Sequence, residues 1–156
     1  MPTTLAPLLF LLATTAAAQE GGVESGLDWQ VRSVPVAGDP QRLDIEFSSA
    51  IAPGWIVYAP DFAAPEFGPR PATLKLEQPT GVRAEGALQA LQSRAGSSAL
   101  PGGRLDYRYF AGQARLRQRV RLPADAGEVT GTLRGQACQE QTGLCTLFKH
   151  AFRIAR

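Results

Sequence analysis

Apolar and polar residues alternate with a period of two along several short stretches of this chain. Leu43, Ile45 and Phe47 alternate with Arg42, Asp44 and Glu46, and Leu74 and Leu76 alternate with Thr73, Lys75 and Glu77. A period of two places one set on a buried face and the other in water, so each stretch predicts a half-buried strand. Residues 29–36 and 54–58 read as further strands. The alternation is clearest over residues 114–122. There Leu116, Val120 and Leu122 share a face with Gln118, while Arg115, Arg117, Arg119 and Arg121 share the opposite one, which reads as a solvated outer sheet face. Two final strands, at 128–137 and 145–154, bracket a loop that begins and ends near a cysteine. Only residues 86–95 have a helical character, and two irregular regions are expected, at 60–71, with four prolines, and at 95–103, rich in small residues. About seven or eight short strands joined by turns predict an all-β domain, an immunoglobulin-like β-sandwich.

The amino-terminal residues change the picture of where the domain works. Residues 5–18 are apolar or small, carry no charge and end in Ala16, Ala17 and Ala18 before Gln19 and Glu20. This is the pattern of a secretory signal peptide cut after Ala18. The segment is shorter than the roughly 20 apolar residues that span a bilayer. The expectation is a signal peptide at 1–18 and a single exported domain at 19–156 with no stable membrane insertion after cleavage, in the periplasm, where disulfides persist. A formal net charge of +2 argues against a dedicated nucleic-acid binder. The 12 Pro and 16 Gly are dispersed among the alternating stretches, which fits turns between strands better than disorder.

Cys138 and Cys145 are the only cysteines. In such a compartment they either staple the fold or carry electrons. A disulfide between them closes a short loop, for which the chain-entropy model gives roughly 2.5 kcal/mol, a weak pin. Strand parity puts Cys138 in step with Thr130, Thr132, Arg134 and Gln136, and Cys145 in step with Leu147, Lys149 and Arg153, so both lean toward the polar face. A disulfide within reach of an outside thiolate is open to exchange. The spacing is not that of a thioredoxin-type C-x-x-C, and by itself it favours a structural hairpin bridge over a redox pair. A zinc site is poorer still, because two cysteines and the single His150 fall one ligand short of a closed structural site. His150 lies between Phe148 and Phe152 in parity and reads as a packed imidazole. No metal and no cofactor is expected.

The run 54–58 (Gly-Trp-Ile-Val-Tyr), the run 109–112 (Tyr-Phe-Ala-Gly), the strand ending at Leu122 and Pro123, and the final hairpin from Cys138 to Cys145 together resemble the N-terminal periplasmic domain of the thiol:disulfide interchange protein DsbD. The resemblance extends from about Trp29 to Ile154. It implies an immunoglobulin-like sandwich whose two cysteines shuttle between dithiol and disulfide. Such a domain takes electrons from a membrane donor, here a separate protein, and passes them to periplasmic disulfide isomerases and thioredoxin-like proteins, including those of cytochrome c maturation. By position Cys145 would form the mixed disulfide and Cys138 would resolve it. An aromatic cap loop would lie near 106–112, from Asp106, with Tyr109 or Phe110 as the lid, and Tyr58 would flank the site. His150 and Lys149 are candidates for activating the thiolate. The competing reading is a non-catalytic periplasmic sandwich that binds a partner protein through a sheet edge or the 60–71 loop, its disulfide merely structural.

Overall fold

A computed structural model describes residues 26–77 and 81–156, so the expected signal peptide and its cleavage point lie outside the described residues. These residues form ten strands and no helix. They are β1 (Gln30–Pro35), β2 (Arg42–Ala50), β3 (Trp55–Tyr58), β4 (Thr73–Leu76), β5 (Arg83–Ala90), β6 (Arg94–Leu100), β7 (Gly103–Phe110), β8 (Gln113–Arg121), β9 (Glu128–Gln139) and β10 (Cys145–Ala155). One sheet has the order β1-β2-β8-β5, and the other β10-β9-β3-β7-β6 with β4 also paired to β9. All pairings are antiparallel. The chain is an all-β, immunoglobulin-like sandwich.

The alternation read from the sequence decides which side chains meet between the sheets. Leu43, Ile45 and Phe47 of β2 and Ala114, Leu116 and Val120 of β8 are buried on the inner face of the first sheet. Val57, Phe110, Val129, Leu133, Ala137, Phe148 and Phe152 answer them from the second. Phe47 meets Phe152 edge-on at 5.1 Å between ring centroids, and Trp29 lies 5.4 Å from Phe148. Both phenylalanines of β10 sit opposite glycines of β9, Phe148 facing Gly135 and Phe152 facing Gly131. A Cβ on Gly135 would come within 2.6 Å of the Phe148 ring, and one on Gly131 within 2.8 Å of Phe152 and 2.7 Å of the Lys75 carbonyl. Hydrogen in place of a side chain is what lets the rings lie against the strand.

Residues 86–95, expected to be helical, belong instead to the end of β5, a bend and the start of β6. The pairing of β5 with β8 slips between Glu85 and Gln89, and Gly86 sits there with φ +78°. Gln118, the one polar member of the inner face of β8, is 3 % exposed and donates its amide to the Gly86 and Arg119 carbonyls at 3.1 and 2.9 Å. It satisfies backbone that the bulge releases from the ladder. The small residues at 95–103 likewise form β6 and its turn into β7 rather than an irregular loop. Segment 60–71 contains no strand, as expected.

The expected cap loop at 106–112 is mostly strand. Asp106, Tyr109 and Phe110 all lie in β7, where Asp106 pairs with Ser97 and its carboxylate accepts from Arg104 at 2.8 Å. Phe110 is 1 % exposed in the sandwich core, so it is a packing residue and not a lid. Its neighbours fix this: Tyr107 and Tyr109 alternate with Phe110 in parity, and the inward position falls to the residue without a hydroxyl.

Two of the outer arginines of β8, Arg119 and Arg121, bind acids from neighbouring strands. Arg119 grips Asp44 with two hydrogen bonds, at 2.8 and 2.9 Å, and Glu85 is shared between Arg42 at 2.7 Å and Arg121 at 2.8 Å. Hydrogen bonds from Arg119 hold the Asp44 carboxyl below the usual carboxylate range, and those from Arg42 and Arg121 do the same for Glu85.

Two expectations follow from this architecture. Phe110→Ala should lower the unfolding free energy by about 3–5 kcal/mol in urea denaturation, the cost of a core cavity. A loss under about 0.5 kcal/mol, as for a surface residue, would contradict its core placement. The depressed carboxyls set the acid response. Their stabilisation is complete above the unfolded-state value, about 4, and is lost as pH falls through the lower folded-state values. The urea midpoint should therefore drop below about pH 4, and Asp44→Asn should flatten that drop, whereas an unchanged acid limb in the variant would exclude the Asp44–Arg119 pair as its source.

Candidate functional site

The two cysteines stand directly opposite each other at the turn end of the β9–β10 hairpin and are joined by a disulfide with S–S 2.00 Å. The next pair toward the turn, Gln139 and Leu144, exchanges the hydrogen bond from the Gln139 N–H to the Leu144 carbonyl, 2.8 Å. This leaves Cys138 and Cys145 at a narrow, non-hydrogen-bonded position, their Cα atoms 4.0 Å apart. Gly143, with φ +70°, closes the turn, and its N–H donates to the Gln139 carbonyl at 2.9 Å. Thr142 Oγ1 donates to Gln139 Oε1 at 2.6 Å and accepts from the Leu144 N–H at 3.2 Å. The turn is tied to β3 as well, through the Glu140 N–H and the Gly54 carbonyl at 2.8 Å.

Parity carries both cysteines to the outer face of the second sheet, yet their surroundings differ. Cys138 is flanked by Ile56 of β3, its direct partner, and is 5 % exposed, like Ile56 itself. Cys145 belongs to edge strand β10 and is exposed. Cys145 Sγ lies 3.5 Å from the Gly143 carbonyl, a contact only, since a disulfide sulfur has no proton to donate. Leu144 and Leu147 on either side of Cys145 are 49 % and 62 % exposed. An outside thiolate thus has one sulfur to approach, with apolar surface beside it.

Tyr58 lies on this same outer face, two residues beyond Ile56, within an aromatic group. Its ring is 5.5 Å from Tyr107 and 6.1 Å from Phe62, and Tyr107 is 5.9 Å from Tyr109. Burial, and secondarily Tyr107, pushes the Tyr58 hydroxyl above its ordinary pKa. Tyr109 is the cross-strand partner of Tyr58. Of the residues singled out from sequence, the structure gathers Cys138, Cys145, Tyr58 and Tyr109 on one face and removes Phe110 to the core. Asp106 sits on β7 beyond the aromatic group.

Two candidate activators of the thiolate are displaced. Lys149 shares the face but is four residues from Cys145 along β10, about 13 Å away. His150 is one residue further and has the opposite parity, paired with buried Leu133. Sequence reasoning passed over Ile56, Phe62 and Tyr107. The alternation of Leu105, Tyr107 and Tyr109 was the available signal for Tyr107; Phe62, in the strandless segment, offered none. Among the described residues no group of three or more His, Cys, Asp or Glu side chains could hold a metal.

No protein-family model and no curated protein matches the sequence. Similar solved structures do exist. The N-terminal domain of DsbD from Neisseria meningitidis, in the reduced form, aligns at 18 % identity over 85 % of this chain and 87 % of that one, with TM-score 0.45. The N-terminal periplasmic domain of ScsB from Proteus mirabilis aligns with TM-score 0.57 at 12 % identity, over 84 % of this chain and 47 % of that one, so this chain spans about half its length. The sandwich that carries the Cys138–Cys145 hairpin has the fold of that ScsB domain.

Proposed function

We propose that this protein is a periplasmic thiol-disulfide exchange module, passing reducing equivalents to partner proteins through Cys138 and Cys145. One observation carries the reading: a disulfide across an exposed hairpin end with one sulfur-bearing residue open to solvent and the other buried. In the dithiol state Cys145, as thiolate, attacks a partner disulfide. A Cys145–partner bond forms and the partner's second sulfur leaves as thiolate. Cys138 then attacks Cys145 Sγ, the intramolecular disulfide re-forms, and the partner departs with both thiols reduced. Two electrons have moved from the module to the partner. A membrane donor separate from this domain would restore the dithiol by the reverse sequence, entering at Cys145 because Cys138 is covered. Partners of the thioredoxin-like or disulfide-isomerase kind fit this chemistry, and the periplasmic setting of the similar ScsB domain supports the location.

The aromatic group of Tyr58, Phe62, Tyr107 and Tyr109 flanks the exchange site. It lies one or two strands from Cys138, about 5–10 Å across the sheet, and offers partner-facing surface beside the disulfide in the place assigned from sequence to a lid.

The reading predicts a reduction potential above about −300 mV in a dithiothreitol redox buffer; a value below that would mark a structural bridge. It also predicts a division of labour. Cys138→Ala should accumulate mixed disulfides with periplasmic thioredoxin-like proteins on non-reducing electrophoresis, because Cys145 attacks and nothing releases it. Cys145→Ala should trap little. Adducts from Cys145→Ala alone would reverse the assignment.

A further inference from the structure

The outer face of the β9–β10 hairpin continues away from the disulfide in regular rungs. Cys138 faces Cys145, Gln136 faces Leu147, and Arg134 faces Lys149. Two cations directly opposite each other across an antiparallel pair repel and destabilise the sheet. Several arginines of the sandwich hold a carboxylate, namely Arg32, Arg42, Arg104, Arg108, Arg119, Arg121 and Arg153. Arg134 and Lys149 have no ion pair among the described residues, and neither does Arg70, whose N–H donates to Gln136 Oε1 at 2.8 Å and so brings the 60–71 segment against the middle rung. Arg70, Pro71, Thr73, Arg134, Leu147 and Lys149 line one groove, together with Gly135 and Phe148 and without a carboxylate. Three exposed, uncompensated cations beside an exposed leucine are not explained by the stability of the fold.

We propose that Arg134, Lys149 and Arg70 form a docking strip for a partner protein whose disulfide is bordered by acidic residues. The proposal rests on the exchange reading and adds the chemistry of the partner to it. Charge complementarity favours an acidic surface, and Leu147, midway along the same face, covers the apolar ground between charge and sulfur. Successive same-face residues on a strand are about 6.6 Å apart, which sets the acidic groups of the partner about 13 Å from the sulfur that Cys145 attacks. A strip of this kind steers encounter and fixes orientation, so it acts on the rate of exchange more than on its equilibrium.

The test uses two extended peptides, each with one cysteine blocked as the mixed disulfide with thionitrobenzoate. One carries three aspartates and the other three lysines, centred four residues from the cysteine on both sides. The reduced protein attacks the peptide sulfur, and thionitrobenzoate leaves. Cys138 then closes the intramolecular disulfide and releases the peptide thiol, so two electrons pass from the dithiol to the peptide disulfide. At about 0.02 M salt the aspartate peptide should react roughly tenfold faster than the lysine peptide, the low end of electrostatic steering. The difference should vanish at about 0.5 M salt. Arg134→Gln with Lys149→Gln should abolish the preference at every salt concentration. Arg83→Gln with Arg115→Gln, on the other sheet, removes the same net charge and should leave the preference intact. Equal rates in the unaltered protein, or a preference that survives the first double variant or disappears in the second, overturn the strip while leaving exchange in place. If neither peptide thiol is released, the exchange reading itself fails, and the strip with it.

Discussion

The register of β9 against β10 is the constraint on which both core and site depend. It runs unbroken from Cys138–Cys145 to Glu128–Ala155. Two notches pin it, where Phe148 lies on Gly135 and Phe152 on Gly131, in spaces a single Cβ would occupy. A slip of one residue would place both rings over larger neighbours and turn every outward side chain inward. The same pinning brings Cys138 and Cys145 face to face, stacks Gln136 with Leu147 and sets Arg134 against Lys149. Packing on one side of the hairpin thereby positions the chemistry on the other.

The two sheets divide their outer surfaces differently. On the first, acids hold four of the cations, Glu46 holding Arg32, Asp44 holding Arg119, and Glu85 holding Arg42 and Arg121, while among the described residues Arg83, Arg115 and Arg117 hold no carboxylate. The second presents a disulfide, an aromatic group and cations without internal partners. The proposed exchange site belongs to the β10-β9-β3-β7 side.

Much of this was legible in the sequence because strand parity is strict. Alternation located β2, β4, β8, β9 and β10, and parity alone carried both cysteines to the outer face. It could not show that Cys138 is covered while Cys145 is open, since that depends on Ile56 of β3 lying beside one and on β10 being an edge. Residues 86–95 misled because Gly86 and the alanines around it carry no period-2 signal; the bulge they form is visible only through Gln118, whose polar side chain in an apolar row was the trace of it. The region 95–103 was passed over as small residues of low strand propensity. At 106–112 the expectation of a loop overrode an alternation of Leu105, Tyr107 and Tyr109 that reads as a strand, and Phe110 was misplaced with it.

The turn at Gly143 has a further meaning once the rings of Phe148 and Phe152 are seen as the true fasteners of the hairpin. The disulfide closes a loop already held by the Gln139–Leu144 and Gly143–Gln139 hydrogen bonds and by the Glu140 tie to Gly54. Breaking the sulfur–sulfur bond releases only a short stretch of chain, on the order of 2.5 kcal/mol of closure entropy in the unfolded reference and little in the folded state. The hairpin is thus held by hydrogen bonds and by ring packing that do not pass through the sulfurs, so its shape has supports other than the covalent link.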